Sequence, residues 1–169
     1  MSLQVKLWRI QAQLSRMSRW AGILARIRWA YWHSRLPALG SDTHIAPHVV
    51  IKNSHKVSIG SRCSINEFVH VWGGGGVVIG NVVLVASHVV ITSQTHDTEA
   101  QLFALTMIDK PIVIEDNVWI GAGAVILPGV LLGKGCIVGA GAVVTRSVES
   151  DWIVTGNPAR PLRKRRVTA

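Results

Sequence analysis

Between Ile114 and Val144 an aliphatic residue returns at every sixth position: Ile114, Ile120, Ile126, Leu132, Val138 and Val144. The fifth place of each block holds a small or β-branched residue: Val118, Ala124, Val130, Cys136 and Ala142. A helix would repeat its apolar residues at three and four, and a strand at two. A strict period of six is neither, and it marks a repeat architecture. Three flat runs of six residues per coil satisfy it, with the aliphatic residue turned into a triangular prism. Successive coils then pair main chain to main chain about 4.8 Å apart. The pattern predicts an all-β solenoid, a parallel β-helix of about five coils. Gly121, Gly133 and Gly139, second in their blocks, are expected at corners that need an unusual φ.

The same register runs earlier in the chain through Ile45 and Ile51, then Ile59, Ile65 and Val71, then Ile79, Val85 and Ile91. Its slips carry information. Val71 and Ile79 stand eight apart, and Gly73 to Gly76 absorb the two extra residues. Ile91 and Ile114 stand twenty-three apart, which places one protruding loop within residues 92–110. Loops raised from a rigid scaffold are where function concentrates. The solenoid domain is expected over 41–158, between a helical segment at 1–40 and a basic tail at 159–169.

The head follows a different rhythm. Leu3, Leu7, Ile10, Leu14, Met17, Ala21 and Leu24 step by four and three, which is the stripe of an amphipathic helix. Trp8, Trp20, Trp29, Tyr31 and Trp32 lie among arginines, and Pro37 and Gly40 close the segment. The formal charge of +9 sits at the two ends. Lys6, Arg9, Arg16, Arg19, Arg26, Arg28 and Arg35 precede the first acid, Asp42, and Arg160, Arg163, Lys164, Arg165 and Arg166 follow the solenoid. The head reads either as an arm packed on the solenoid or a neighbouring copy, or as a helix lying on anionic lipid. No nucleic-acid-binding motif accompanies the charge. No apolar run is long enough to span a bilayer, and scattered arginines do not make a secretory signal. Cys63 and Cys136 are too few for a disulfide framework, and Cys136 fills a fifth position as a small buried residue would. The expected location is the cytoplasm, or the inner face of the membrane through the basic head.

His96, in TSQTHDTE, is the histidine within the loop, where an imidazole can serve as a general base near neutral pH. Asp97 and Glu99 are candidates to orient it. His44, His48, His55, His70 and His88 are scattered over the coils and do not group as metal ligands.

At this point the chain resembles a known family. DNVWIGAGAVILPGVLLGKGCIVGAGAVVTRSV followed by GNPAR, with ITSQTHD ahead of KPIVIEDNVWIG, is similar to the hexapeptide-repeat O-acetyltransferases that act on maltose, galactosides, serine and exopolysaccharides. The resemblance covers about residues 45–163. It implies a left-handed β-helix, an exception to the usual crossover hand. It also implies a homotrimer with sites between adjacent solenoids, and acetyl-CoA as donor with no metal required. By the same resemblance His96 is the catalytic base and Asn66 an acceptor contact. Trp119, Ala122, Ala140, Thr145 and Arg146 would line the CoA arm, with Arg146 standing where a lysine is common, and Arg163 would lie near the nucleotide phosphates. The arginine- and tryptophan-rich head departs from the maltose and galactoside enzymes. That departure favours a sugar precursor of an exopolysaccharide or lipopolysaccharide over a small free sugar. The alternatives are N-acetylation of an amino sugar and a non-catalytic scaffold. A γ-type carbonic anhydrase would need a pair of zinc histidines five apart, and the chain has no His-x4-His.

Overall fold

The computed structural model describes residues 22–166. The solenoid is a left-handed parallel β-helix. Its strands, two to four residues long, build three faces. The first face stacks Ala38–Leu39, Val57–Ile59, Val77–Ile79, Ile112–Ile114 and Leu131–Leu132 in parallel. The second stacks six strands from His44–Ile45 to Trp152–Thr155, and the third stacks five from Val50–Lys52 to Val143–Val144. The chain therefore makes five full coils and part of a sixth. Arg160–Lys164 turns back antiparallel to Trp152–Thr155 and ends the second face.

The aliphatic positions point inward. Ile45, Ile65, Val85, Ile120 and Val138 pair in register on the second face and are at most 5% exposed. Each buried Ile or Val contributes about 1.5–3 kcal/mol relative to exposure. The early coils hold twenty residues and the later ones eighteen, as the partners Ile65–Val85 and Ile120–Val138 show. The surplus falls at one corner, where Gly76 (φ +93°) donates to the Gly73 carbonyl at 2.9 Å.

The corner glycines differ from the sequence expectation. Gly121, Gly133 and Gly139 do not have positive φ; the left-handed residues stand in the fourth place of each block. Asp42, His48, Arg62, Phe68, Val82 and His88 occupy it in the first three coils, and Asn117, Gly123, Gly129, Gly135 and Gly141 in the fourth and fifth. The second-place glycines serve close stacking instead. A Cβ on Gly121 would lie 2.6 Å from the Ala140 nitrogen, and one on Gly133 the same distance from the Ser150 nitrogen.

The head is described from residue 22 onward and is helical over 22–33. Ile23, Leu24, Ile27, Trp29 and Tyr31 are exposed, and Trp29 stacks on His33 at 4.6 Å. The earlier part of the apolar stripe, Leu3 to Ala21, with Trp8 and Trp20, lies outside the described residues. No helix among the described residues is long and apolar enough to cross a membrane.

Candidate active site

Two of the three corners carry the residues of interest. The corner from the third face to the first, the loop corner, is where residues 92–110 leave the solenoid. Here the chain forms a hairpin: Gln94–His96 pairs antiparallel with Met107–Asp109, with His96 opposite Met107. Ser93 anchors its base. This side chain is fully buried, donates to the Trp72 carbonyl at 2.7 Å and accepts from the Gly75 amide at 3.0 Å. Lys110 N–H closes the neck on the Ser93 carbonyl at 2.9 Å, and Gln94 donates to Asp109 at 3.0 Å.

His96 is exposed on this hairpin. Its Nδ1 stands 2.6 Å from the Phe103 carbonyl and 3.1 Å from that of Thr106. Carbonyl oxygens only accept, so Nδ1 must carry the proton. In the neutral ring Nε2 then keeps its lone pair, as a general base requires. The orienting groups are thus main-chain carbonyls and neither of the two neighbouring carboxylates. Asp97 instead accepts from the Glu99 amide at 3.0 Å. Sequence spacing could not find this, because a short 3-10 turn, Phe103–Leu105, brings the carbonyl back from seven residues away. Leu102, Phe103, Leu105 and Met107, on the same hairpin, are apolar and exposed. Thr145 and Arg146 also lie at the loop corner, two coils above, and both are exposed.

The corner from the second face to the third, the ring corner, carries the rest. Asn66 sits there, half-buried, its Oδ1 accepting from Ser64 at 3.3 Å. Ala122 and Ala140 follow on the fourth and fifth coils, exposed and joined by the Gly141 N–H to the Ala122 carbonyl at 2.8 Å. Gly123 and Gly141 beside them have nothing within 4 Å of where a Cβ would stand. The result is a strip lined by nothing larger than a methyl group. Trp119 projects outward from the adjoining second face, 49% exposed. Arg163 is exposed on the terminal strand. A cavity of about 350 Å³ at that end is lined by Val144, Arg146, Trp152, Arg160 and Pro161 among others. The bare strip suits an extended, narrow chain such as a pantetheine arm, and the arginines suit phosphates.

The ring corner also brings together two of the histidines that were expected to be scattered over the coils. His48, Phe68 and His88 stack on successive coils. Their even spacing of twenty residues was the available signal. The two cysteines are buried. Burial pushes the Cys63 thiol up and that of Cys136 to about 12, so neither is a nucleophile at neutral pH.

The family model for bacterial transferase hexapeptides (six repeats) matches residues 111–146. Galactoside O-acetyltransferase of Lactococcus lactis is 36% identical over 52% of this chain, which spans 43% of that enzyme's length. WcaF of Escherichia coli K12, a candidate colanic acid biosynthesis acetyltransferase, is 28% identical over 97% of this chain and 88% of its own. The crystal structure of a hexapeptide-repeat acetyltransferase from Vibrio cholerae superposes with a TM-score of 0.79 at 31% identity, covering 96% of this chain and 93% of that one. The same Vibrio protein complexed with acetyl coenzyme A gives 0.80 at 34%, covering 82% and 76%. With its six-residue register, its corner strip and these relatives, the chain belongs to the hexapeptide-repeat acetyltransferase family.

Proposed function

We propose that this chain transfers the acetyl group of acetyl-CoA to a hydroxyl of a sugar, in the building of an exopolysaccharide or lipopolysaccharide. The observation that carries the reading is the hold on His96: two carbonyls fix its protonated Nδ1 and leave Nε2 as the base. Nε2 takes the proton of the acceptor hydroxyl as its oxygen bonds to the acetyl carbon. The carbon–sulfur bond then breaks, and the imidazolium returns a proton to the departing thiolate. Such general-base assistance is worth about 10²–10⁴-fold. Asn66 would hold the acceptor. Ala122 and Ala140 would flank the pantetheine arm through main chain, with Trp119 and Thr145 beside it. Arg146 and Arg163 would meet the phosphates. The relatives support the donor: the Vibrio neighbour is complexed with acetyl-CoA. WcaF supports the polysaccharide setting.

The site residues stand on two different corners of one prism. That division supports a ring of three copies, in which the loop corner of one meets the ring corner of the next; such head-to-tail contacts close into rings. The head favours a surface-bound acceptor. Ile23, Leu24, Ile27 and Trp29 are exposed beside Arg26, as in a helix resting on anionic lipid. Sedimentation with phosphatidylglycerol vesicles tests this second point, and a protein that stays in the supernatant refutes it.

The test of the activity is thiol release from acetyl-CoA across nucleotide-linked and lipid-linked sugars. A sugar-dependent, His96-dependent rate is expected. Product analysis then separates ester from amide. Acetyl-CoA binding without His96-dependent turnover on any acceptor would leave a non-catalytic solenoid.

A further inference from the structure

The fourth place of each block at the ring corner changes character along the axis. On the first three coils it holds His48, Phe68 and His88; on the fourth and fifth it holds Gly123 and Gly141. The three rings form a column. His48 and Phe68 stack at 5.2 Å and 7°, and Phe68 and His88 at 5.0 Å and 25°. All three residues are exposed and have φ between 60° and 64°. That left-handed region is what the coil imposes on the fourth place of its blocks, at Arg62 and Val82 as well, and it turns all three rings outward at the same angle. Above His88 the column stops, because Gly123 supplies no side chain and the space its Cβ would take is empty. The stop falls on the coil from which the His96 hairpin departs.

We propose that the uncapped face of His88 is the stacking platform for the acceptor's pyranose ring. The proposal rests on the acyltransferase reading and names the part of the site that grips the sugar. A pyranose presents a patch of C–H bonds on one face and hydroxyls around its rim. The column offers a flat ring at the edge of the bare strip, continuing a stack that Phe68 backs from below. Asn66 and the exposed carboxylate of Glu67 stand one coil down on the same corner, as donors and acceptors for the rim. That carboxylate disfavours a phosphate there, so the charged end of the donor belongs higher up, with the arginines.

The experiment is saturation-transfer NMR with methyl β-D-glucopyranoside and methyl β-D-galactopyranoside on the full chain, alongside calorimetry with acetyl-CoA. Wild type should transfer saturation to the C–H protons of one sugar face. His88→Ala should weaken sugar binding about tenfold, near the upper end of what one aromatic contact supplies. His88→Phe should retain it, and neither change should move acetyl-CoA affinity. Melting curves establish that both variants are folded. Equal sugar binding by wild type and His88→Ala, or no transfer to either glycoside from wild type, overturns the platform. So does a loss confined to acetyl-CoA. If wild type binds no acetyl-CoA while the His88-dependent sugar contact persists, the acyltransferase reading fails and the platform stands.

Discussion

The ring corner and the loop corner are built from the same chain by opposite means. At the ring corner the six-residue register is kept, and the coils sit so close that Gly121 has no room for a side chain above it. At the loop corner the register is broken, surplus residues accumulate, and a hairpin with exposed Leu102, Phe103 and Leu105 carries His96. The first corner gains rigidity and a bare track; the second gains reach beyond the prism and an oriented imidazole. Chemistry that needs both must bring two corners together, and a rigid prism does not fold onto itself.

The largest effect should come from the loop corner. His96→Ala is expected to lower turnover about 10²–10⁴-fold, with little change in melting temperature, because the side chain is exposed and its two hydrogen bonds stay within the hairpin. Steady-state rates and a thermal melt check both halves. The next largest belongs to the ring corner. Gly121→Val should cost about 3 kcal/mol or more in urea unfolding, as overpacking against backbone cannot relax. Gly123→Ala, two residues on, meets open space but a φ of +68°, and should cost only about 1 kcal/mol. A reversal of that order would show that conformation, not stacking, governs this corner.

The smallest expected effect concerns the thiols. With Cys136 pushed up to about 12 by burial and Cys63 also raised, almost no thiolate exists at pH 8. A disulfide reagent should therefore label neither cysteine until denaturant is added. Fast labelling of native protein would contradict the packing described for both.

Much of this fold was legible because a period of six has few solutions. The inward residues, the loop between 92 and 110, and the two-residue surplus at Gly73 to Gly76 all followed from counting. The reason for the second-place glycines did not, because close approach between coils involves residues eighteen or so apart. Single blocks do not reveal it. The orientation of His96 was hidden for a similar cause: its partners are carbonyls, which every residue has. The ring column was visible in principle at 48, 68 and 88, but histidines are weighed as ligands before they are weighed as stacked rings.

The central claim is that one active site draws His96 from one copy and Asn66 with the bare strip from the next. Mixing chains tests it directly. His96→Ala and Asn66→Ala proteins, each purified and impaired alone, would be unfolded together in equal amounts and refolded, and thiol release from acetyl-CoA measured with a competent sugar acceptor. If sites span adjacent copies in a closed ring, about a quarter of them regain both intact halves, and activity should rise to about a quarter of wild type. If each chain holds a whole site, every site keeps one defect, and the mixture should be no more active than the average of the two variants.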